Sequence, residues 1–315
     1  MTTIKFSITI PAYKGKFLSA AIKSVLAQTY DNYELIIVDD CSPEDLKSIV
    51  DLYQDSRIRY YRNDKNCGAI NVVDNWNICL CYCTGDWVIC MGDDDMLMPN
   101  ALYEYRNLIL SYPKVEILHG RVVQIDESSE TIKILPERAE YESYISFLNH
   151  RLAFRSQYIG DFCYKVDTLL ARGGFYKLPF AWGADDISAY MAVRTYGIAN
   201  TNRVIFKYRV NNLSISKSGF ENEKLVCVDR LYDWIDNSIN IDIEPNLVSA
   251  SFEEKETFKV IQSIKRYSRE NCKYYALMDS MKGKYAILFL ALLGFKKINV
   301  SKRTILKILK KSIGI

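Results

Sequence analysis

The feature that most constrains this 315-residue chain is the alternation of short apolar runs with amphipathic segments along its first 111 residues. Four apolar runs predict buried strands, at residues 6–11, 33–38, 58–61 and 87–91. Four segments with helical spacing of apolar residues follow them, at residues 17–28, 43–53, 70–83 and 99–111. Strands that alternate with helices form βαβ units, so we predict an α/β fold with a mostly parallel sheet.

The rest of the chain is less regular. Residues 115–135 alternate in character and predict further strands, residues 141–220 are mixed, and residues 221–315 predict helices throughout. We therefore predict two domains, an α/β domain at residues 1–220 and a helical C-terminal region at residues 221–315.

Three of the four predicted strands end in residues with unusual chemistry. Pro11-Ala12-Tyr13 follows the first strand, Asp39-Asp40 the second and Asp93-Asp94-Asp95 the fourth. In open α/β sheets, ligands bind beyond the carboxyl ends of the strands. The three motifs therefore predict one ligand site at that edge of the sheet.

The acidic triple Asp93-Asp94-Asp95 is the strongest of these signals. Adjacent carboxylates repel one another, and a bound cation relieves that repulsion. Mg²⁺ and Mn²⁺ favour carboxylate oxygens and also bind phosphate oxygens, so the triple predicts a site for a metal-bound diphosphate. The alternative is a solvated acidic turn.

The other two strand ends fit a nucleotide. Asp39 or Asp40 could accept the imide N–H of uracil or bind a ribose hydroxyl, and Tyr13 could stack on a base. The alternatives are an N-cap for the helix near Pro43, which Ser42 could also supply, and an exposed loop tyrosine.

Composition and motif searches exclude several other classes. A net charge of +3 without a basic stripe in the first 220 residues argues against nucleic-acid binding. The nine cysteines form no Cys-x-x-Cys pair and the chain has two histidines, so a zinc site is not expected and the cysteines are predicted to be reduced. The phosphate-binding patterns GxxxxGK[ST] and GxGxxG are also absent from the expected turns.

Taken in order, the motifs of residues 4–216 resemble those of the family 2 glycosyltransferases, which have the GT-A fold. The matching segments are residues 10–13, 24–30, 33–42, 66–68, 76–77, 85–88 and 93–97. The resemblance implies a three-layer α/β/α domain that binds a nucleotide-sugar.

The resemblance also implies roles for individual residues. Tyr13 and Asp40 would contact the base, Asp94 the ribose, and Asp95 a metal that bridges the diphosphate. Gly92 stands where many members have the first acidic residue of the motif, and Asp93 would compensate. The predicted donor-binding set is Pro11, Tyr13, Asp40, Asn66, Asp93, Asp94 and Arg209, and the predicted metal ligands are Asp95, Asp93 and Asn211.

A second acidic motif, Asp185-Asp186 after Trp182-Gly183-Ala184, matches the position where the family carries its catalytic base. Such a carboxylate would remove a proton from the acceptor hydroxyl. Asp185 is favoured because it follows the Gly-Ala turn more directly, and one of the pair could instead cap the helix predicted at residues 187–196.

The closing motif at residues 206–216 resembles the end of the family's catalytic domain. Many members have a histidine where Asn211 stands, and it helps to hold the metal. Because asparagine is a weaker ligand than histidine, either the metal is bound less tightly or Arg209, in the same segment, neutralises phosphate instead.

Together these features predict a metal-dependent, inverting glycosyltransferase. It would move a sugar from a nucleotide donor, expected to be UDP-linked, to an acceptor hydroxyl on a lipid-linked glycan in O-antigen or capsule synthesis. The alternative is a catalytically weak, nucleotide-sugar-binding subunit that acts as a scaffold; Gly92 and Asn211 favour it, and the intact acidic motifs argue against it.

The end of the chain is basic, with no acidic residue after Asp279. Residues 282–313 predict contact with an anionic membrane surface, or packing of lysine stems on protein. The start of the chain predicts no signal peptide, and the longest uncharged apolar run, residues 285–295, is too short to span a bilayer. The catalytic part is therefore expected in the cytoplasm, at the inner face of the membrane.

Overall fold

The structure of the protein, a computed structural model, describes residues 3–211, 221–239 and 251–278. This part of the chain divides into two compact units. The first unit contains residues 3–147, 156–177 and 184–211, and the second contains residues 148–155 and 178–183 with the C-terminal helices. The domain boundary predicted at residue 220 would place both short segments in the first domain, whereas in the structure they group with the C-terminal helices.

One ten-stranded sheet forms the first unit. Its strands are β1 (Phe6–Ala12), β2 (Tyr33–Asp39), β3 (Ile58–Arg62), β4 (Trp87–Cys90), β5 (Met96–Leu97), β6 (Ile117–Ile125), β7 (Thr131–Ile134), β8 (Tyr141–Glu142), β9 (Phe162–Lys165) and β10 (Ile198–Arg209). The strand order is β3-β2-β1-β4-β9-β6-β10-β5, with β7 paired to β6 and β8 paired to β10.

Nine α-helices lie in the described segments. They are α1 (Leu18–Leu26), α2 (Leu46–Val50), α3 (Val72–Cys81), α4 (Ala101–Ser111), α5 (Tyr144–Leu152), α6 (Val166–Ala171), α7 (Ala184–Val193), α8 (Glu221–Ser238) and α9 (Phe252–Met278). None of these helices combines the length and the apolar character needed to cross a membrane.

The predicted α/β fold is confirmed, and the parallel order is cleanest in the first half of the sheet. Strands β3, β2, β1 and β4 are all parallel, as expected for strands joined by crossover helices. β6 and β10 are also parallel, whereas the short strands β5, β7, β8 and β9 pair antiparallel. β8 and β9 come from residues 141–220, which the sequence left mixed, whereas β7 lies in residues 115–135, where further strands are predicted.

Burial explains why the first strands form the core. Every residue of β2 is buried, and β1 exposes only Pro11 in part. The apolar stripe of α1, formed by Leu18, Ala21, Ile22 and Val25, packs into the same core. A parallel strand covered on both faces is mostly apolar, which is the pattern that predicted these strands.

Helix α2 is shorter than predicted, because its start is set by a different residue. The sequence predicts a helix over residues 43–53, with Ser42 able to cap it, whereas α2 covers only Leu46–Val50. Asp45 is the N-cap, since its Oδ1 accepts a hydrogen bond from the Ser48 amide at 3.2 Å. The Ser42 hydroxyl lies in the turn before the helix, where it accepts from the Glu44 amide at 3.0 Å and donates to the Tyr13 carbonyl at 2.7 Å.

All nine cysteines are free thiols, as the sequence predicts. Cys79 and Cys81 lie in the last turn of α3, where the first is buried and the second exposed. Burial raises the pKa of the Cys83 and Cys90 thiols to about 12, so both stay protonated at neutral pH.

In the second unit, α8 and α9 are joined by ion pairs. Arg269 contacts Asp229 at 2.5 Å and Asp233 at 3.2 Å, and Lys273 contacts Asp229 at 2.9 Å. The predicted membrane-contacting tail at residues 282–313, and the end of the closing motif at residues 213–216, lie outside the described residues.

Candidate active site

The carboxyl ends of β1, β2 and β4 meet, as the sequence predicts. The Asp40 amide donates to the Ala12 carbonyl at 2.8 Å, which joins the first two strand ends. Oδ2 of Asp93 accepts hydrogen bonds from the amides of Tyr13 and Lys14, both at 2.8 Å, which joins the first end to the fourth strand. Backbone and carboxylate contacts therefore hold all three motifs at one edge of the sheet.

Asp39 and Asp40 have different environments. Asp39 is fully buried and accepts from the Ser42 amide at 2.7 Å, from the Tyr60 hydroxyl at 2.6 Å and from the Arg62 guanidinium. These contacts give Asp39 a structural role in closing the turn after β2. The adjacent Asp40 is the one left for a ligand.

Asp40 is held by one of its two oxygens. Oδ1 accepts from Nδ2 of Asn63 and from the Cys67 amide, both at 2.9 Å. Within the described residues Oδ2 receives no hydrogen bond. An oriented carboxylate with one open oxygen is suited to accept the N–H of a pyrimidine base or a ribose hydroxyl.

The loop beside Asp40 contains Asn66. Its Oδ1 accepts from the Gly68 amide, a local turn that Gly68 completes with a φ of +79°. The contact of the neighbouring Cys67 amide with Asp40 places this loop at the predicted base site. Asn66 is thus close in sequence to the site, and its predicted donor contact stays a prediction.

Tyr13 projects from the end of β1 with 40% of its surface exposed. Its backbone is fixed from both sides, by the Asp93 carboxylate on its amide and by the Ser42 hydroxyl on its carbonyl. Pro11 lies opposite Val38 in the pairing of β1 with β2. An exposed ring on a fixed backbone can stack on a nucleobase without a large loss of entropy.

Two carboxyl groups of the acidic triple, Asp93 and Asp95, have raised pKa values. Burial raises the pKa of Asp93 to about 6, although the amides of Tyr13 and Lys14 oppose the shift. Burial, reinforced by the charge of Asp94, raises the pKa of Asp95 well above its ordinary value. Carboxylates in this state gain from a nearby cation, because its charge offsets both the burial and the mutual repulsion.

Gly92 opens a small space beside two of these carboxylates. A Cβ built on Gly92 would lie 2.8 Å from Oδ1 of Asp94 and 3.1 Å from Oδ2 of Asp95. Two carboxylate oxygens therefore lie beside the space that a side chain would otherwise fill. Gly92, at which the chain departs from the common family motif, leaves this space open because glycine has no side chain.

The described residues contain no group of three or more His, Cys, Asp and Glu side chains arranged as a complete metal site. A Mg²⁺ or Mn²⁺ ion that binds with a nucleotide needs only one or two carboxylates, because phosphate oxygens and waters supply the other ligands. The pair of oxygens from Asp94 and Asp95 beside Gly92 fits that requirement. The Asp93 carboxylate is already engaged by the two amides of the β1 turn.

Arg209 and Asn211 reach the acidic triple from the end of β10. Nδ2 of Asn211 donates to Oδ2 of Asp94 at 2.6 Å. The Arg209 amide donates to Oδ1 of Asp95 at 2.9 Å, and its Nε donates to the Asp94 carbonyl at 2.8 Å. Both residues that the sequence predicts here therefore contact the acidic segment.

The Arg209 guanidinium is buried and directed at protein groups. Nη1 donates to the Asp126 carbonyl at 2.7 Å and to the Ser129 hydroxyl at 3.0 Å, and the guanidinium lies 4.3 Å from the ring centre of Phe17. Arg209 thus fastens the acidic segment to the turn after β6. The phosphate contact predicted for it stays a prediction beside this observed structural role.

Asp185 and Asp186 occupy the first turn of α7, where the helix dipole favours negative charge. Asp186 is 4% exposed and accepts from Nε2 of Gln157 at 2.7 Å, whereas Asp185 is half-buried. The more accessible of the two carboxylates is therefore the one that the sequence favours as the base.

A continuous set of contacts connects α7 to the sheet edge that carries Tyr13, Asp40 and the acidic triple, which is called the donor edge below because the nucleotide-sugar donor is predicted to bind there. Gln157 binds Asp186, and the adjacent Tyr158 stacks on Tyr208 with ring centres 3.7 Å apart. Tyr208 precedes Arg209, which binds the acidic triple. The two acidic motifs thus belong to one contact network within the first unit.

Several residues of this network are not evident from the sequence. Asn63, Gln157 and Tyr158 hold functional carboxylates or their neighbours, yet they lie in segments that the sequence left without a motif. The Asn63–Asp40 contact could have been suspected from the position of Asn63 directly after β3, at the same edge of the sheet.

Known proteins resemble this chain in sequence and in fold. The Glycosyl transferase family 2 model matches residues 7–166. The Escherichia coli protein named UDP-Glc:alpha-D-GlcNAc-diphosphoundecaprenol beta-1,3-glucosyltransferase WfgD is 27% identical over 237 residues, which cover 74% of this chain and 87% of that protein.

Two solved structures share the fold. TarS of S. aureus in complex with UDP-GlcNAc matches with a TM-score of 0.61 at 15% identity, over 94% of this chain and 89% of that one. The mannosyltransferase PcManGT of Pyrobaculum calidifontis, in complex with GDP-Man and Mn²⁺, matches with a TM-score of 0.55 at 16% identity, over 99% of this chain and 80% of that one.

The family match covers more than half of the chain and includes the three strand ends that form the donor edge. The solved structures match the fold over nearly its whole length. The chain therefore belongs to glycosyltransferase family 2, and it is a glycosyltransferase of the GT-A fold.

Proposed function

We propose that this enzyme transfers a hexose from a UDP-sugar to a hydroxyl of a lipid-linked glycan, with inversion at the anomeric carbon and with a divalent metal. The observation that carries the proposal is the open oxygen of Asp40, oriented by Asn63 and Cys67, at the same sheet edge as the carboxylates beside Gly92. One end of that edge suits a pyrimidine nucleotide and the other suits its diphosphate.

The donor would lie along the carboxyl edge of the sheet. Asp40 would accept the uracil N–H or a ribose hydroxyl, and the Tyr13 ring would cover the base. Asp94 and Asp95 would hold a Mg²⁺ or Mn²⁺ ion together with the diphosphate, and Asn211 would orient Asp94 through the bond that it already makes. Such an ion supplies positive charge that stabilises the departing diphosphate.

The transfer itself needs one base. Asp185 would remove the proton from the acceptor hydroxyl while the acceptor oxygen attacks the anomeric carbon. The bond from that carbon to the diphosphate oxygen breaks, and its electron pair leaves with UDP. Asp186 would keep the first turn of α7 in place through Gln157. A single displacement of this kind inverts the anomeric configuration.

Two observations support a lipid-linked acceptor: the name of the Escherichia coli relative, and the basic character of residues 282–313. The Escherichia coli relative is named for a diphosphoundecaprenol-linked acceptor, which lies in a membrane. The basic residues 282–313 of this chain would bring the enzyme to an anionic surface, each lysine or arginine contributing about 1 kcal/mol. This supports a location at the inner face of the cell membrane.

A transfer assay tests the proposal. Purified enzyme is incubated with UDP-glucose, UDP-GlcNAc or GDP-mannose, and with a prenyl-diphosphate-linked GlcNAc, in Mn²⁺ or in EDTA. We expect a product of one added hexose from a UDP-sugar in Mn²⁺, with inverted configuration by NMR, and no product in EDTA. Donor binding without transfer to any acceptor would instead favour a scaffold subunit.

A further inference from the structure

Helix α3 carries two asparagines that contact opposite parts of the site. Asn75 is 2% exposed, and its Oδ1 accepts from Nδ2 of Asn63, the residue that orients Asp40. Asn77 comes two residues later, and residues two apart in an α-helix project about 200° from each other. Asn77 therefore points away from the contact between Asn75 and Asn63. Its amide is directed at the segment that leads to α7.

Asn77 forms a two-bond clamp on Phe175. Its Oδ1 accepts from the Phe175 amide at 2.8 Å, and its Nδ2 donates to the Phe175 carbonyl at 3.0 Å. A side-chain amide that pairs with both backbone groups of one residue fixes the position and the direction of that segment.

The turn before Phe175 is shaped to admit this clamp. Gly174 has a φ of +86°, and a Cβ built on it would lie 2.3 Å from Oδ1 of Asn77. Glycine is therefore required twice, by the backbone conformation and by the closeness of the asparagine. The Phe175 ring is buried and packs edge-on against Trp76, with centres 5.8 Å apart.

The clamped segment is bound to the helix that bears the catalytic carboxylates. The Tyr176 amide donates to Oγ of Ser188 at 2.9 Å, and the same hydroxyl donates to the Ala184 carbonyl at 2.7 Å. Ala184 begins α7, directly before Asp185 and Asp186. A shift of Phe175 would therefore move the first turn of α7.

We propose that Asn77 is a positioning residue for the transfer step: through Phe175, Tyr176 and Ser188 it sets the position of the carboxylates on α7. α3 thereby fixes the base-bearing helix and, through Asn75, the donor edge to one rigid element. The inference rests on the proposed function, because it assigns the base to α7.

The test compares three variants with the wild type. Asn77→Ala removes both bonds to Phe175, and Ser188→Ala removes the contact on the α7 side with a smaller risk to folding. Asn107→Ala is the matched control, because Asn107 is a half-buried helical asparagine in α4 whose contact is with its neighbour Arg106. Three quantities are measured: the kcat of transfer, the Kd of UDP, and amide hydrogen exchange in residues 172–178.

A displacement of about 1 Å at a reacting group can cost on the order of 100-fold in rate. We expect Asn77→Ala to lower kcat by about that factor and Ser188→Ala by about tenfold, by the same reasoning on smaller shifts. The Kd of UDP should stay within about twofold of the wild-type value, since no donor contact is lost. Exchange in residues 172–178 should accelerate in Asn77→Ala, and the control should match the wild type.

Two results would overturn the inference. One is unchanged kcat in both variants while the exchange in residues 172–178 accelerates; the other is a loss of UDP binding that parallels the loss of kcat, which would indicate general destabilisation. Failure of the proposed function appears elsewhere, as a wild-type enzyme that neither binds UDP nor transfers sugar, and it would remove this inference as well.

Discussion

The donor edge and helix α7, which carries the proposed base Asp185, are built in different ways. At the donor edge, Tyr13, Asp40 and Asp93 each lie within three residues of a strand end, so the register of the sheet fixes them. The position of α7 instead depends on side chains from distant segments, such as Gln157 and Asn77. A binding site can thus be specified by a sheet and short motifs, whereas its catalytic partner needs long-range contacts.

The first prediction is that substitutions on α7 reduce the rate of transfer without weakening UDP binding at the donor edge. Asp185→Asn should lower kcat about 10³-fold, because it removes the proposed base, while the Kd of UDP stays unchanged. Asp186→Asn should cost less, since Asp186 is buried against Gln157 and acts on position. Steady-state kinetics and UDP titration measure both effects. If Asp186→Asn lowered kcat more than Asp185→Asn, Asp186 would be the base and Asp185 the positioning residue.

The second prediction tests Arg209, which contacts the donor edge from a distant segment of the chain. Arg209→Met leaves the buried Asp94 carbonyl without its donor and removes one of two donors to the Asp126 carbonyl, which should lower the free energy of unfolding by about 3 kcal/mol. Urea unfolding measures this, with Lys207→Met in the same strand as the control. If stability were kept and only UDP binding lost, Arg209 would be a phosphate ligand and the predicted donor role would hold.

The third prediction concerns recognition of the base. Asp40→Asn keeps an oxygen for Asn63 and Cys67 but replaces the open oxygen with an amide N–H. The Kd of UDP should rise about tenfold to a hundredfold, because two donors then face each other. Calorimetric titration measures the change, and an unaltered melting temperature shows that the loop is intact. An unchanged UDP affinity would mean that Asp40 does not contact the uracil base or the ribose.

The fourth and smallest effect lies at the opposite edge of the sheet. Burial alone would raise the pKa of Glu34, but hydrogen bonds from Ser7, the Thr84 amide and Arg59 outweigh it and lower the pKa. A lowered pKa in the folded state gives stability above the unfolded pKa of about 4.3, and this stability is lost as the pH falls through the folded value.

Glu34→Gln should therefore reduce the free energy of unfolding by about 1 kcal/mol at pH 7, and the difference from the wild type should disappear in acid. Urea unfolding as a function of pH measures this, and kcat should be unchanged. A stability difference that persists at low pH would mean that packing, and not charge, accounts for the loss.

The same contrast explains what the sequence could predict. The parallel strands and the three motifs at their ends follow from periodicity and from the rule that ligands lie at carboxyl ends. The extent of α2 was wrong because Asp45, not Ser42, caps the helix, and capping residues of similar propensity compete. The clamp of Asn77 on Phe175 spans 98 residues, a separation that no local pattern reports.

The central claim is that the nucleotide binds at the carboxyl edge through Asp40 and a metal held by Asp95. The most direct test is calorimetric titration of the wild type, Asp40→Asn and Asp95→Asn with UDP, each with and without Mn²⁺. We predict binding that requires Mn²⁺ in the wild type and is weakened by at least about tenfold in each variant. Absence of UDP binding, or UDP binding that neither substitution nor Mn²⁺ alters, would contradict the claim.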